Sequence, residues 1–170
     1  LDITGACGAS NPCSNRGGSA ITALNSDILG CIMAFVSERR IDFPMVDLAR
    51  IVYYPQFWDL AHRFYEESWE FSCGMHYNEV LMKHQIGFPL VHAETNFIHP
   101  LSYGDTVKCQ LTVVDIGNTS VTWKYEFRNQ NNTLCWTSKQ VTVCVGMNDI
   151  TTKIQVPDWM RTGLSKLIQE

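Results

Sequence analysis

The residues best suited to chemistry in this chain are a single carboxylate and the backbone at the start of a helix. Asp47 lies in "IDFPMVDLARIVYYP", residues 41 to 55, and a helical pattern begins at Tyr54 or Pro55. A helix start leaves its first N–H groups without partners and carries the positive end of the helix dipole. That end can hold a carbonyl oxygen as it becomes an oxyanion, while a nearby carboxylate attacks the carbon or deprotonates a water. The pair predicts acyl-transfer hydrolysis, unless Asp47 only caps a turn.

The helix that would position the oxyanion site follows from the spacing of apolar residues. Pro55 suits the first turn of a helix, and Gly74 suits its end. Between them, apolar or small side chains recur at helical spacing, at Phe57, Leu60, Ala61, Phe64, Ser68 and Phe71. The helix should therefore run for about five turns at 3.6 residues per turn.

A β-sheet is predicted to pack against this helix. The run "FVSERRIDF" alternates as a strand before the helix, and four β-rich runs follow it: "FPLVHAETNFIH", "DTVKCQLTVVDI", "SVTWKYEFRN" and "LCWTSKQVTVCVGM". Turn signals separate these runs, such as Gly117-Asn118. One strand, one long helix and then a meander of strands indicate an α+β fold, with the helix on one face of an antiparallel sheet. The tail "VPDWMRTGLSKLIQE" is expected to add a short helix.

Composition limits the classes of protein to consider. The chain has 170 residues, 45% of them hydrophobic, which fits one domain with a real core. Residues 1–32 are rich in Gly, Ser, Asn and Ala, so we expect a flexible N-terminal extension before a domain over residues 33–170. A net charge of −4 argues against a nucleic-acid partner. No apolar run approaches the roughly 20 residues that cross a bilayer, so no membrane partner is expected.

The cysteines and histidines show no pattern typical of a cofactor or metal. The seven cysteines are scattered without a C-x-x-C pair, which indicates reduced, mostly buried thiols and a cytoplasmic location. His76, His84 and His99 have no partner at metal-ligand spacing, so neither a metal nor a cofactor is predicted. The G-x-S-x-G elbow of serine hydrolases is missing from the sequence as well.

The stretch around Asp47 resembles a known family. "FPMVDLARIVYYPQF" is similar to the signature of the hotdog-fold acyl-CoA thioesterases of the 4-hydroxybenzoyl-CoA thioesterase type. The resemblance continues through "IGFPLVHAETNFIHPLSYGDTV", "VCVGMND" and "IQVP", and it spans about residues 35 to 158. "AHRFYEE", which contains His62, resembles the "CHEAYE" of the dihydroxynaphthoyl-CoA hydrolase branch. The matching signature positions are Phe43, Asp47, Ala49, Ile51, Val52, Tyr53 and Tyr54.

This resemblance implies a mechanism and an assembly. Asp47 corresponds to the family's catalytic carboxylate, and the backbone N–H of Tyr54 corresponds to the group that polarises the thioester carbonyl. The implied fold is a curved antiparallel sheet wrapped round one long central helix. The implied assembly is a homodimer whose sheets join, or a homotetramer, with active sites at the subunit interface.

The acyl-CoA substrate is expected to place its acyl group in a hydrophobic tunnel near Tyr53, Phe57, Trp58 and Phe88. His62 could hydrogen-bond a hydroxylated acyl ring or orient water, or it could face the core and bond a backbone group. A hydroxybenzoyl-like aromatic group and a short or medium aliphatic chain both stay open. A different hotdog branch uses a helix glutamate as its base, which makes Glu66 and Glu67 alternatives to Asp47.

Three departures from the signature affect how CoA would be held. Met45 replaces the first Asp, Leu48 replaces a common Pro, and Arg50 replaces the usual Gly. Either the loop bends differently at Arg50, or the guanidinium contacts an anionic group. Lys153 is the other candidate for a phosphate contact, with a solvated lysine as the alternative. If Arg50 plugs the channel, the chain would be a non-catalytic hotdog dimer that binds acyl thioesters or has a purely structural role.

Overall fold

The computed structural model describes residues 33–168, so the predicted extension over residues 1–32 lies outside the described residues. A first strand, β1, leads through a short 3₁₀ turn at Phe43–Met45 into the long helix α1, and the remaining strands follow. The described helices are α1 (Pro55–Cys73), α2 (Tyr77–Met82) and α3 (Asp158–Leu164), which a 3₁₀ turn at Ser165–Leu167 follows. The strands are β1 (Phe35–Arg40), β2 (Ile86–Gly87), β3 (Leu90–Phe97), β4 (Thr106–Ile116), β5 (Ser120–Arg128), β6 (Leu134–Val143), β7 (Val145–Gly146) and β8 (Asp149–Lys153).

The main sheet has five antiparallel strands in the order β1-β4-β5-β6-β3. The consecutive strands β4, β5 and β6 form the predicted meander, and β1 and β3 are the edge strands, paired with β4 and β6 respectively. A smaller sheet pairs β2, β7 and β8. Together with the long helix, this arrangement confirms the predicted α+β class.

Helix α1 begins and ends where its sequence signals predict. Pro55 occupies the first turn, where a missing N–H costs nothing. Gly74 ends the helix in the left-handed conformation, with φ 71°, which glycine adopts without steric penalty. One face of the helix is buried, through Phe57, Leu60, Ala61, Phe64, Tyr65, Ser68, Trp69 and Ser72.

The buried face of α1 packs on the alternate, inward-facing residues of the sheet. Strand β5 alternates between buried and partly buried positions along its whole length, as expected for a strand with one face on the core. Its inward aromatic side chains meet the helix: the rings of Phe64 and Phe127 lie 5.5 Å apart, and those of Tyr65 and Trp123 lie 5.0 Å apart. The helix is therefore held on one face of the sheet by aromatic packing.

Three elements depart from the expected pattern. The stretch from Met75 to Gln85 contains a short helix, α2. Its six residues are too few to show a helical periodicity in the sequence. Strand β8 was not predicted either, because all five of its residues are exposed and so show no alternation of apolar residues. Strand β3 is an edge strand of the main sheet, and nearly all of its residues are exposed, so it shows no alternation between buried and exposed positions.

The cysteines behave as predicted where the structure describes them. Cys109, Cys135 and Cys144 are buried free thiols, and Cys73 is partly buried. Burial raises the pKa of Cys109 well above its ordinary value, because the thiolate would lose its hydration. These thiols are protonated, inert parts of the core rather than nucleophiles. Among residues 33–168, no helix combines the length and the apolar character needed to span a membrane.

Candidate active site

The loop that carries Asp47 is a tight hairpin hydrogen-bonded to itself. The Asp47 N–H donates to the Ile51 carbonyl at 3.0 Å, and the Arg50 N–H donates to the Asp47 carbonyl at 2.9 Å. Val46 and Val52 pair across the base of the hairpin. Arg50 adopts φ 65°, the left-handed region that closes such turns and that normally favours glycine. The loop therefore keeps a glycine-like bend despite the arginine.

Asp47 does cap this turn, but the cap uses only one of its oxygens. Its Oδ1 accepts a hydrogen bond from the Ala49 N–H at 2.8 Å, the geometry of an Asx turn. In the described part of the chain, Oδ2 has neither a hydrogen-bond donor nor a cation as partner, and the residue is exposed. The turn-capping role and a chemical role are thus compatible, since the cap orients the carboxylate and leaves one oxygen available.

The start of α1 presents one free backbone donor. The Gln56 N–H donates to the Tyr53 carbonyl at 2.8 Å, and the Phe57 N–H donates to the Tyr54 carbonyl at 3.3 Å. Pro55 has no N–H. The Tyr54 N–H finds no acceptor among residues 33–168, so it is the unpaired donor at the positive end of the helix dipole.

Backbone hydrogen bonds join the hairpin to the helix start. The Tyr53 N–H donates to the Met45 carbonyl at 2.9 Å, two residues before Asp47. The Val52 N–H donates to the Leu101 carbonyl at 2.8 Å, which ties the hairpin to the segment before β4. The hairpin that carries the carboxylate and the helix start that carries the free N–H therefore belong to one hydrogen-bonded unit.

A cavity of about 190 Å³ lies between the long helix and the sheet. The elements that line it are α1, α2, β3, β5 and β6, together with the residue Phe88 just before β3. Of the lining residues, Trp58 is half-buried and Leu90 is exposed. The nine lining residues are Trp58, His62, Tyr65, Tyr77, Phe88, Leu90, Tyr125, Gln140 and Thr142.

The structure divides the four predicted acyl-tunnel residues and His62, the candidate contact to the acyl ring, into two groups. Trp58, His62 and Phe88 line the cavity. Phe57 does not line it: this ring is buried in the core against Trp136 at 5.9 Å, because one residue along a helix is a rotation of about 100°. Tyr53 does not line it either: its ring is 46% exposed beside the Tyr54 ring, 5.0 Å away.

His62 and the two helix glutamates lie in different surroundings. The His62 side chain is 61% exposed and its Nε2 lies 3.0 Å from Glu66 Oε1, so the alternative of a core-facing histidine bonded to the backbone is wrong. Its ring stacks on Tyr65 at 5.9 Å. Glu67 binds Arg39 and accepts a hydrogen bond from Ser37 Oγ at 3.0 Å, on the β1 side of the helix. Neither glutamate lines the cavity.

Three tyrosines in the cavity wall are held as neutral phenols. Burial raises the pKa of Tyr65, Tyr77 and Tyr125 above the ordinary value, because the phenolate would be desolvated. The Coulombic influence of neighbouring tyrosines raises the pKa of Tyr65 and Tyr125 further. The cavity is accordingly an aromatic space with phenol, amide, hydroxyl and imidazole groups in its wall.

Sequence reasoning missed six of these lining residues. Tyr65 could have been found, because Trp58, His62 and Tyr65 are spaced i, i+4 and i+7 and so share one helix face. The other five come from α2, β3, β5 and β6, and no local spacing signals their approach to this helix face: they are Tyr77, Leu90, Tyr125, Gln140 and Thr142.

The two candidate phosphate contacts are both exposed cations. Arg50 lies on the hairpin and does not line the cavity, so it does not plug an acyl channel there. Lys153 ends β8 opposite Val145. Within the described residues, neither side chain forms a salt bridge or side-chain hydrogen bond, which leaves both charges available to an anion.

Comparison with known proteins places this geometry in a family. Residues 42–164 match the thioesterase-like superfamily. The chain is 29% identical over 131 residues to the 1,4-dihydroxy-2-naphthoyl-CoA hydrolase of Crocosphaera subtropica, covering 74% of this chain and 95% of the relative.

Solved structures give the same result. The crystal structure of a 1,4-dihydroxy-2-naphthoyl-CoA thioesterase from Synechocystis superposes with a TM-score of 0.70 at 26% identity, covering 79% of this chain and 98% of that one. A Staphylococcus aureus protein in complex with CoA shares the fold alone, with a TM-score of 0.73 at 13% identity over 85% of this chain and 91% of that one. The chain therefore belongs to the thioesterase-like superfamily and has its hotdog fold, an antiparallel sheet around one long helix.

Proposed function

We propose that this protein is an acyl-CoA thioesterase that hydrolyses the thioester of an aromatic acyl-CoA to the free acid and CoA. One observation carries the proposal: the Tyr54 N–H at the start of α1 has no acceptor in the described chain, and the adjacent Tyr53 N–H donates to the Met45 carbonyl, which ties the helix start to the hairpin that holds the Asp47 carboxylate. A donor for a developing oxyanion and a carboxylate for attack are the two groups that acyl transfer needs. The relatives named above are thioester hydrolases of aromatic acyl-CoA, which supports the same reaction.

In the proposed reaction, the thioester carbonyl oxygen accepts a hydrogen bond from the Tyr54 N–H. Asp47 either deprotonates a water that attacks the carbonyl carbon, or attacks that carbon itself to give an anhydride that water then opens. The carbon–sulfur bond breaks, the CoA thiolate leaves and takes up a proton, and the acid retains the added oxygen. The helix dipole and the N–H stabilise the charge on the oxyanion as it forms.

The size of the cavity supports an aromatic acyl group. A buried apolar cavity of about 150 Å³ accommodates benzene, and this one measures about 190 Å³. It therefore has room for one substituted ring. Its first lining residue on α1, Trp58, lies four residues beyond Tyr54, about 6 Å along the helix axis.

We propose an assembly in which β3 joins two copies of the chain, as a homodimer or a homotetramer. Strand β3 pairs with β6 on one side, and its other side pairs with no strand in the described chain. It exposes Leu90, Val91 and Phe97, and Ile98 follows directly. An unpaired, apolar strand edge is a surface that another chain covers. Because Leu90 also lines the cavity, this assembly would place the active site at the subunit interface.

Two further proposals concern the surroundings of the enzyme. Arg50 and Lys153 contact the phosphates of CoA, since both are exposed cations without a partner in the described residues. A cytoplasmic location is consistent with the buried free thiols of Cys109, Cys135 and Cys144. Fractionation with detection of the native chain tests the location, and recovery in an extracellular fraction would contradict it.

The experiment that tests the function is Asp47→Asn, assayed by thiol release. The asparagine side-chain oxygen can still accept the Ala49 N–H, so the turn is kept while the nucleophile or base is lost. General-base catalysis contributes about 10²- to 10⁴-fold, so kcat should fall by at least about 100-fold. The panel comprises 4-hydroxybenzoyl-CoA, 1,4-dihydroxy-2-naphthoyl-CoA and hexanoyl-CoA.

The assay also separates the rival function. Undiminished turnover by the Asn variant would exclude Asp47 from the chemistry. If the wild-type chain binds a non-hydrolysable thioether analogue of these acyl-CoAs in calorimetry but releases no thiol from any of them, the protein is a binding module instead.

A further inference from the structure

We infer that the side-chain oxygen of Gln140 accepts a hydrogen bond from a hydroxyl group on the acyl ring and thereby selects hydroxylated aromatic acyl groups. This inference rests on the proposed thioesterase function and assigns the residue that sets its substrate preference. Gln140 lies on β6, lines the cavity and is 8% exposed. It places a carboxamide among mostly aromatic neighbours in the cavity wall.

A hydrogen-bond network behind the wall fixes the orientation of this carboxamide. The Ser138 hydroxyl donates its one hydrogen to the Glu94 carbonyl at 3.0 Å, so the Ser138 oxygen acts only as an acceptor toward its other neighbours. Gln140 Nε2 donates to that oxygen at 3.3 Å, and the Thr95 hydroxyl lies 3.1 Å from it. The Gln140 nitrogen is therefore turned toward Ser138, and the carboxamide oxygen lies on the opposite side of the planar amide.

The carboxamide oxygen of Gln140 is free and accessible. No donor among residues 33–168 is hydrogen-bonded to Gln140 Oε1, and this oxygen is not one of the fully buried unsatisfied atoms, so it retains accessible surface. Because Gln140 is otherwise buried and lines the cavity, that surface faces the cavity. A carbonyl oxygen only accepts hydrogen bonds. The cavity wall thus holds a fixed acceptor that a donor on the ligand can pair with.

The other polar groups of the wall do not provide such an acceptor. Thr142 Oγ1 already accepts the Trp123 indole N–H at 3.0 Å, and its own hydrogen, without an acceptor in the described chain, makes it a donor to the cavity. His62 is paired with Glu66. The tyrosine phenols, which burial keeps neutral, can donate or accept, so they do not distinguish a hydroxyl from an ether oxygen. Gln140 can make that distinction.

Discrimination between ring substituents follows from the burial of this oxygen. A ring that fills the cavity displaces water from Gln140 Oε1. A ring hydroxyl replaces the lost hydrogen bond, whereas a hydrogen atom or a methoxy group leaves the buried oxygen unpaired. A site built to hydrogen-bond a substrate hydroxyl rejects analogues without it for this reason. We expect a difference of about tenfold or more in kcat/KM.

The test measures thiol release from the CoA thioesters of benzoate, of the three hydroxybenzoates and of the matching methoxybenzoates. In the wild type, at least one hydroxybenzoyl isomer should exceed both benzoyl-CoA and its own methoxy counterpart by about tenfold in kcat/KM. Gln140→Met keeps the length of the side chain and removes the acceptor oxygen, so it should bring both ratios close to one. The isomer that shows the preference identifies the ring position that faces Gln140.

Two control variants separate the acceptor from general effects of substitution. Gln110→Met makes the same change at a half-buried glutamine on β4 that does not line the cavity, and it should leave both ratios as in the wild type. Tyr125→Phe deletes a phenol from the same wall and should keep the preference for hydroxyl over methoxy. Denaturant melts establish that each variant is folded. Calorimetry of the wild type with the free hydroxybenzoates, methoxybenzoates and benzoate measures the same preference without a variant or a reaction.

Three results would overturn the inference while the thioesterase proposal stands. The first is a wild type that favours no hydroxybenzoyl isomer over benzoyl-CoA, and the second is a preference that Gln140→Met retains. The third is an equal preference for the methoxy counterpart, which would assign recognition to a donor such as Thr142. Undiminished thiol release by Asp47→Asn would instead count against the proposed mechanism. If no thioester is hydrolysed at all, the calorimetric preference alone decides the role of Gln140.

Discussion

Replacing Tyr54 by proline removes the proposed oxyanion donor together with an exposed aromatic side chain. Tyr54 has φ −52° and ψ −33°, within the range that the proline ring imposes on φ. It is the second residue of a turn closed by the Gln56 N–H and the Tyr53 carbonyl, a position that proline favours in type I turns. Since the Tyr54 N–H has no acceptor in the described chain, the substitution breaks no hydrogen bond of the protein.

The expected magnitude follows from these contacts. Loss of one oxyanion-hole donor lowers kcat by about 10²- to 10³-fold, which corresponds to about 2.7–4 kcal/mol of transition-state stabilisation. Stability should change by no more than about 1 kcal/mol, because proline fits the native φ and restricts the unfolded chain. The assay is kcat from thiol release, together with a denaturant melt of each variant.

Tyr54→Ala is the matched control, because it removes the same side chain but keeps the N–H. The Tyr54 side chain is 61% exposed and touches the Tyr53 ring, so its loss should cost little stability. Comparing proline with alanine isolates the donor from the aromatic ring. A folded Tyr54→Pro variant that turns over as fast as Tyr54→Ala would refute the assignment of the Tyr54 N–H as the oxyanion donor.

The remaining predictions concern assembly and CoA binding. Val91→Lys places a charge on the exposed edge of β3, so sedimentation should show monomers with reduced turnover; an intact oligomer would place the interface elsewhere. Arg50→Gly keeps the left-handed turn and removes the cation, and Lys153→Ala removes the other one. Each variant should raise KM severalfold and leave kcat unchanged. The KM of each variant should also depend less on salt concentration than that of the wild type, because salt screens the contact between a cation and a phosphate. A KM equal to that of the wild type for both variants would exclude these contacts.

The elements that local chemistry specifies could be predicted from the sequence. Pro55 and Gly74 bound α1 because proline tolerates the first helical turn and glycine tolerates the left-handed end. Strand β5 was recognisable because its alternate residues enter the core. The signature around Asp47 was readable because its residues are contiguous, and it indicated a hotdog-fold thioesterase, in agreement with the thioesterase-like superfamily to which the chain belongs.

Only the tertiary structure decided what surrounds the cavity and how the site is held. Phe57 and Trp58 are adjacent aromatic residues in the same helical pattern, yet Phe57 packs in the core and Trp58 lines the cavity. Which of the two faces the core depends on the position of the sheet relative to the helix. Tyr77, Tyr125 and Gln140 meet through strand pairing and helix packing over long separations, which no local pattern encodes. The sequence also does not show that the Tyr54 N–H and one oxygen of the Asp47 carboxylate lack hydrogen-bond partners in the described chain. Whether a donor or acceptor is free to bind a substrate depends on all the other hydrogen bonds of the folded chain.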